Sequence, residues 1–250
     1  MKEHFDKAIE WIKQQDINGA ITGSCLLEHF PDSDIDVFVY DEKSFIRGLF
    51  AMHYNPMFQI LDPIELWKFN QVTKKETAKS HKFGLSTIKF YYNTCVPVNI
   101  ILKQNCTNIF SVLASFDLDI ICKGFDIKSQ QYLDLTAGSP VSKIANYNKW
   151  NLVYYSEEIW EISRILRQIQ RCIKYYKRGY NTDAVVEKYI SLIDNVEKYE
   201  SIFNSANFTE KLELVKTNTK VIKQICNVWL DTHEISEKEL ELLEKTVKLL

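Results

Sequence analysis

The sequence predicts an α+β protein in which a small mixed sheet flanked by helices is followed by a helical-bundle lobe. Two observations carry this prediction. Residues 1–136 mix short amphipathic helices with β-rich runs, whereas residues 141–250 place apolar side chains three and four positions apart. Between these parts lies Ala137-Gly-Ser-Pro140, whose composition is typical of a linker. We therefore expect one domain over 1–136 and a helical domain over 141–250.

Local periodicity predicts several elements of the first domain. Apolar residues at helical spacing predict a helix over residues 3–14. Residues 20–22 and 35–40 are rich in β-branched and aromatic side chains, which favours strands. Residues 87–92 and 96–102 flank a short polar turn and predict a β-hairpin.

The remaining elements follow from the same kind of pattern. Asn108 begins a short helix that ends near Ser115, and we expect a strand over residues 116–122. Ser236 and Glu239 form a capping-box pattern, which predicts the start of the last helix. The helical segments expected in the second domain are 150–178, 183–202, 208–230 and 236–249.

Composition excludes several classes of protein. The 250 residues are 46% hydrophobic with a formal net charge of −2, which is typical of a soluble globular chain and not of one that coats nucleic acid. No run approaches the roughly 20 apolar residues of a membrane span, and the N-terminus is charged where a signal peptide would be apolar. The six cysteines lack metal-ligand spacing. We expect reduced thiols, a cytoplasmic location and no membrane partner; the oligomeric state is left open.

Asp34 and Asp36 give the strongest chemical signal in the sequence. Side chains two positions apart in a strand point to one face, about 7 Å apart along the chain. Two carboxylates on one face repel each other, and a divalent cation removes that cost. Because Mg²⁺ is typically held by one or two carboxylates together with substrate phosphates, the pair predicts a site for Mg²⁺ (or Mn²⁺) and a nucleotide.

Gly23 and Ser24 precede this pair and suit a phosphate group. Glycine allows a sharp turn and a close approach of backbone N–H groups, and residues 25–30 are expected to form a short helix whose N-terminus faces the ligand. A Gly-Ser turn or an Asp-x-Asp strand end alone has a plain structural interpretation. Their order along the chain is more specific and matches what phosphoryl transfer needs.

The run Gly23-Ser24, followed by Ser33-Asp34-Ile35-Asp36-Val37, resembles the signature of the polymerase β-like nucleotidyltransferase superfamily. The resemblance covers about residues 5–126. It implies a small mixed sheet flanked by helices, two-metal catalysis and template-independent transfer of a nucleoside monophosphate from a nucleoside triphosphate (NTP) such as ATP. It also implies that Gly23 and Ser24 hold the triphosphate, while Asp34 and Asp36 hold the metals.

The same resemblance implies a third carboxylate on a neighbouring strand, where this sequence has the neutral Asn99. Asp117 and Asp119 share a face of the strand expected over 116–122. The segment that contains them is similar to divergent viral and eukaryotic nucleotidyltransferase-like sequences. On this basis Asp117 is expected to be the third catalytic acid and metal ligand, with Asp119 as the second choice; the alternative is that Asp117 caps a helix end.

A basic stripe follows one face of the helix expected over residues 150–178. Guanidinium groups suit phosphate oxygens, and Tyr175, Tyr176 and Tyr180 are candidates for stacking on a base. Two interpretations stay open: the stripe binds a triphosphate or a nucleic-acid strand, or it pairs with the acidic residues 237–244. The members at helical spacing are Arg164, Arg167, Arg171, Lys174 and Arg178.

These features together predict a metal-dependent nucleotidyltransferase. Its substrate would be an NTP, its acceptor a nucleic-acid or nucleotide 3′-hydroxyl, and its second product pyrophosphate. RNA and DNA are both possible acceptors, and a protein hydroxyl in an AMP-transferring enzyme is an alternative. A catalytically silent binding module with the same fold is the alternative that Asn99 favours.

Overall fold

The structure is a computed structural model that describes residues 2–27, 33–73, 85–136, 143–148, 162–196 and 220–249. The chain divides into two compact units, residues 1–136 and 137–250. The first unit contains a seven-stranded mixed sheet with helices, which confirms the expected α+β class. The expected linker at residues 137–140 lies outside the described residues.

The sheet of the first unit has the strand order β3-β4-β5-β2-β1-β6-β7. Strands β2 and β5 pair in parallel, and the other neighbours are antiparallel. A 3-10 helix over Gly23–Leu26 follows β1, and another over Asp119–Ile121 precedes β6. The helices and strands are α1 (Lys2–Lys13), β1 (Gly19–Thr22), β2 (Ile35–Val39), α2 (Glu42–Tyr54), β3 (Phe58–Gln59), α3 (Pro63–Thr73), β4 (Leu85–Tyr92), β5 (Val96–Lys103), α4 (Ile109–Ala114), β6 (Lys123–Asp126) and β7 (Gln131–Asp134).

The main core of this unit lies on one face of the sheet. Apolar residues one helical turn apart on α1 and α2 pack against alternate residues of the central strands, as the two periodicities require. Phe45, Val37 and Ile100 are representative, and each is at most 1% exposed. On the opposite face, Phe38 and Ile101 form a smaller cluster with Val112 of α4. The rest of that second face is therefore available for polar residues.

Several predicted elements are confirmed. The hairpin pairs Tyr92 with Val96, and its turn residues Asn93 and Thr94 adopt φ values of 48° and 60°. The helices and strands expected over residues 3–14, 20–22, 35–40 and 108–115 are present within one or two residues of the expected bounds.

One local prediction is wrong, and another is confirmed only in part. Residues 116–122 are not a strand, because Asp119–Ile121 form a 3-10 helix and the strand that pairs with β1 begins at Lys123. The buried side chains of Leu118 and Ile120 explain the apolar run that suggested a strand. The short helix expected over residues 25–30 is present in its described start as the 3-10 helix Gly23–Leu26, and residues 28–32 lie outside the described part.

The described residues of the second unit are mainly helical. Ser236 caps the last helix as predicted, since its backbone N donates to Glu239 Oε2 at 2.8 Å and Glu239 N donates to Ser236 Oγ at 3.3 Å. No helix in the described part of the chain is long and apolar enough to cross a membrane. The helices are α5 (Ile162–Lys177), α6 (Asp183–Val196), α7 (residues 220–232) and α8 (Glu237–Leu249).

Candidate functional site

One polar row crosses the centre of the sheet in the first unit. The strand registers place Lys89 opposite Asn99, Asn99 opposite Asp36, and Asp36 opposite Thr22. Directly paired residues on neighbouring strands share a face of the sheet. Lys89, Asn99, Asp36 and Thr22 therefore form a row on the face opposite the main core, which we call the polar row. Gly124 of β6 lies opposite Thr22 and ends the row without a side chain.

The Asn99 side chain binds both predicted carboxylates. Its Nδ2 donates to Asp34 Oδ2 and to Asp36 Oδ1, each at 2.8 Å. The two acceptor oxygens are therefore no further apart than twice 2.8 Å. Asn99 is only 7% exposed, whereas Asp34 and Asp36 are half-buried, so this bridge is partly buried at the sheet surface. Asp34 and Asp36, which we call the acid pair, thus lie within reach of a single ligand atom, as the sequence predicted.

Three buried oxygen atoms around the acid pair have no hydrogen-bond partner among the residues that the structure describes. They are Thr22 Oγ1, Ser33 Oγ and Asn99 Oδ1, and their residues are 0%, 4% and 7% exposed. Leaving such a group without a partner costs about 1–3 kcal/mol. Thr22 lies opposite Asp36, and Ser33 directly precedes Asp34. The surroundings of the acid pair therefore offer oxygen atoms that a ligand can use.

Gly23 lies next to Asp36. Its φ of +87° is in the left-handed region, and a Cβ added there would lie 3.4 Å from Asp36 Oδ2. Glycine therefore both permits this turn and leaves the space beside the carboxylate open. Ser24 follows in the same 3-10 helix, where its backbone oxygen accepts a hydrogen bond from Leu27 N at 3.1 Å. Both residues predicted to bind phosphate thus belong to the turn beside Asp36.

The pKa of the Cys25 thiol is affected by the negative charges of the acid pair. Burial, followed by the charge of Asp36 and to a smaller extent that of Asp34, raises the pKa of the Cys25 thiol far above its usual range. The thiol donates to the backbone oxygen of Thr22 at 3.1 Å. Cys25 therefore stays protonated at neutral pH and is not a nucleophile.

A third acid that completes a metal site with the acid pair is not found in the part of the chain that the structure describes. No group of three or more His, Cys, Asp or Glu side chains among the described residues could hold a metal ion. Asp117 lies in the bend after α4, and Asp119 begins the following 3-10 helix; both are buried. The expected strand that would have carried them does not exist, because pairing with β1 starts only at Lys123. The expected position next to Asp36 is occupied by Asn99.

The basic stripe belongs to the second unit, on α5. The backbone at Arg164 and Arg167 is helical, but their side chains lie outside the described part of the structure. Arg171 is half-buried and Lys174 is exposed. Helix α5 contacts α8. Helix α8 carries the acidic residues 237–244, with which the stripe would pair in the second interpretation. Both interpretations of the stripe stay predictions.

Of the three tyrosines expected to stack on a base, two on α5 and one after it, two have buried rings, which contradicts the prediction for them. Tyr175 and Tyr180 are buried, and their rings pack edge to face with centroids 6.1 Å apart. The turn at Gly179, with φ of +87°, folds the chain back so that the two rings meet. Tyr176 stacks on His233 at 4.7 Å with the rings 6° from parallel.

Sequence analysis missed Lys89. This lysine is half-buried, its backbone N donates to Glu65 Oε2 at 3.0 Å, and its ammonium has no ion-pair partner among the described residues. A signal was available, because the hairpin turn pairs Tyr92 with Val96 and counting outward from it places Lys89 opposite Asn99. A cation on the same face as two carboxylates is a candidate partner for an anionic ligand.

Comparison with known proteins does not assign the chain to a family. No family model matches it, and no curated protein matches it. The chemistry of the site therefore has to be inferred from its own residues.

Proposed function

We propose that this chain is a metal-dependent nucleotidyltransferase of the polymerase β-like superfamily. It transfers a nucleoside monophosphate from an NTP to a hydroxyl acceptor and releases pyrophosphate. The observation that carries this proposal is the acid pair, bridged by the amide of Asn99 and bordered by the open turn at Gly23. Two half-buried carboxylates that share one hydrogen-bond donor repel each other, and a cation with a phosphate ligand would explain why the fold keeps them side by side.

The residues present fit a hard divalent cation. Asp34 and Asp36 offer carboxylate oxygens within reach of one atom. Asn99 presents its Nδ2 to them and would add its Oδ1 as a further oxygen ligand once its amide turns. An all-oxygen set of this kind suits Mg²⁺ or Mn²⁺. When bound, the cation would neutralise the phosphates and polarise their oxygens.

The chain's own residues have separate tasks in this proposal. Asp34 and Asp36 hold the cation, while Gly23 leaves room for a phosphate next to Asp36. Ser24 offers a hydroxyl and a backbone N–H in the same turn. The acceptor is proposed to be a nucleic-acid or nucleotide 3′-hydroxyl, and the basic residues of α5, among them the exposed Lys174, support this choice.

A catalytically silent binding module is the second candidate, and a specific observation favours it. The strand position beside Asp36 carries Asn99, and the described residues offer no third carboxylate there. An amide cannot act as a general base for the attacking hydroxyl. Such a module would bind the nucleotide without turnover.

The experiment that separates the two candidates is transfer of label from each α-labelled NTP and dNTP, in Mg²⁺ and in Mn²⁺. Reactions contain no acceptor, short RNA, short DNA or a mixture of cell proteins. The control is an Asp34→Asn/Asp36→Asn protein with an unchanged circular dichroism spectrum. We expect label in an RNA or DNA product with the intact chain alone. Labelled protein would identify the AMP-transferring alternative, and nucleotide binding without any labelled product would identify the silent module.

A further inference from the structure

Helix α3 and the segment before it leave an apolar surface exposed to solvent. Among the described residues, most of the large hydrophobic side chains that stay exposed come from the short stretch 54–67. Tyr54, Ile64 and Trp67 are 76%, 63% and 62% exposed. We call this surface the α3 patch, and its members are Tyr54, Met57, Leu61, Ile64, Leu66 and Trp67.

The members of the α3 patch lie close to one another. Ile64 and Trp67 are three positions apart on α3, so their side chains are neighbours on the helix surface. The end of α2 lies against the same helix, because the ring of His53 is 4.6 Å from that of Phe69 and 5.5 Å from that of Tyr54. The other exposed members come from α3 or from the segment that joins it to α2. The patch is therefore one surface and not a set of scattered side chains.

Helix α3 buries little within the first unit. It has 11 residues, and Phe69 is the one that is buried. Glu65 holds the helix on the edge of β4, since its Oε2 accepts a hydrogen bond from the backbone N of Lys89 at 3.0 Å. Helices shorter than about 12–15 residues are marginal in water without tertiary packing. A partner over Ile64 and Trp67 would therefore stabilise the helix as well as cover the patch.

The size of the α3 patch fits an interface between two proteins. The exposed parts of its two aromatic and four aliphatic side chains amount to on the order of 600 Å². That is the upper end for the largest apolar patch of a monomer, which is about 300–600 Å². Each partner in a standard interface contributes about 800 Å². The patch with a polar rim therefore supplies what one copy of the chain needs for a stable dimer.

The charges at the border of the patch favour a second copy of this chain over a lipid surface. Lys68 pairs with Glu65 at 2.7 Å, and Asp62 Oδ1 accepts a hydrogen bond from Ile64 N at 2.7 Å. The described residues of this border thus carry no excess of positive charge that would attract anionic lipids. Two copies, each with a formal net charge of only −2, repel each other weakly.

We propose that the α3 patch is the interface of a symmetric homodimer in which the α3 helices of two copies pack antiparallel. A two-fold axis between Ile64 and Trp67 packs the tryptophan of each copy on the isoleucine of the other, so that one surface matches itself. The same arrangement places the two Asp62 carboxylates at opposite ends of the helix pair. Tryptophan at the centre of an interface often carries much of the binding energy. Dimer formation of this kind does not depend on the acid pair.

The first measurement is sedimentation equilibrium of the full chain over a range of concentrations. We expect a dimer in the micromolar range for the wild type, and a monomer at the same concentrations for Ile64→Glu/Trp67→Glu. Burying two carboxylates in an apolar interface should weaken the dimer by at least about a hundredfold. The matched control is Phe110→Glu, which changes a 45% exposed residue of α4 and should leave the dimer intact.

A second variant and a second readout keep the result independent of folding. Ile64→Gln/Trp67→Gln introduces no charge and should weaken the dimer by at least about tenfold. Circular dichroism and urea unfolding check that both variants fold, which is expected because both side chains are exposed. Amide hydrogen exchange of α3 in the wild type should slow as the concentration rises through the range of dimer formation.

Three results would overturn the homodimer. A wild-type chain that stays monomeric up to its solubility limit would exclude it, and so would a dimer that persists in Ile64→Glu/Trp67→Glu, since its interface would lie elsewhere. Slow exchange of α3 amides in a monomer would show that another segment of this chain covers the patch. Binding of that monomer to phosphatidylserine vesicles, lost in Ile64→Glu/Trp67→Glu, would identify a lipid surface instead.

Discussion

Replacing Asp36 with asparagine is expected to lower nucleotide transfer on the order of a thousandfold while making the metal-free protein more stable. The loss of activity is expected because the substitution removes one of the two carboxylates proposed to hold the cation, and a cation supplies several kcal/mol of charge stabilisation in phosphoryl transfer. Substitution of a residue that is needed for folding alone would lower both the activity and the stability. The opposite signs therefore identify a functional carboxylate.

The gain in stability has a separate cause. The bound oxygens of the acid pair are no further apart than twice 2.8 Å, so the repulsion between the carboxylates is of the order of 1–3 kcal/mol at an effective dielectric constant between those of water and a protein surface. The amide introduced by Asp36→Asn keeps an oxygen for the hydrogen bond from Asn99. We expect a net gain of about 1 kcal/mol in the free energy of unfolding, measured by urea titration without added metal.

Added Mg²⁺ should make the wild type more stable than Asp36→Asn, which reverses the order expected without metal. A cation that binds the folded wild type as proposed would raise its stability by mass action, whereas Asp36→Asn lacks the second carboxylate and should respond little. The matched control is Asp16→Asn, which removes an exposed carboxylate paired with Arg47 at 2.6 Å. An exposed pair contributes at most about 1 kcal/mol, so this control should lose slightly in stability and keep full activity. A loss of stability in Asp36→Asn would contradict the repulsion between the acid pair.

Replacing Gly23 with alanine is expected to weaken Mg²⁺-dependent NTP binding by about a hundredfold. A Cβ at this position would lie 3.4 Å from Asp36 Oδ2 and would fill the space beside the carboxylate where a phosphate is proposed to bind. The substitution should also cost about 1 kcal/mol in stability, because φ of +87° is unfavourable for a residue with a Cβ.

Gly179 provides a control for the loss of stability that a Cβ causes at a positive φ. It has the same φ of +87°, and a Cβ added there would meet nothing within 4 Å. Gly179→Ala should therefore cost a similar free energy of unfolding and leave NTP binding unchanged. Equal losses of binding in the two variants would contradict the proposed role of the turn at Gly23. Fluorescence titration with a nucleotide analogue and urea unfolding together measure both effects.

Elements with clear local patterns were predictable from the sequence. The β4–β5 hairpin alternates buried and less buried residues around a polar turn, and Ser236 carries its capping partner three residues later. Helix α2 was not predicted, although Phe45, Leu49 and Met52 follow a helical period. Helix α3 has no such pattern, because Ile64 and Trp67 are exposed.

The edge of the sheet depended on long-range pairing that no local pattern reveals. Residues 118–122 are buried like a strand, but β1 pairs with Lys123–Asp126, where Gly124 leaves room for Ile109 of α4. A residue with a Cβ at that position would lie within 2.9 Å of Ile109, so packing favours this register. Competition of this kind is decided by tertiary contacts.

The site was predictable where its residues lie close together in the chain. Asp34 and Asp36 share a face because strand side chains alternate, and Gly23 is joined to them by a short segment. The bridge from Asn99 was not predictable, since it depends on the parallel register of β2 and β5. Lys89 could have been found from the hairpin register alone, whereas Asp117 was misplaced together with the strand expected to carry it.

The same bridge fixes when the site can first exist during protein synthesis. Asn99 follows Asp36 by 63 positions, and the chain is made from its N-terminus. At about 5–20 residues per second, the ribosome adds those residues in roughly 3–13 seconds. Throughout that interval the acid pair of a nascent chain has no amide to bind and β2 has no parallel neighbour. The site is thus complete only after the β5 strand has left the ribosome.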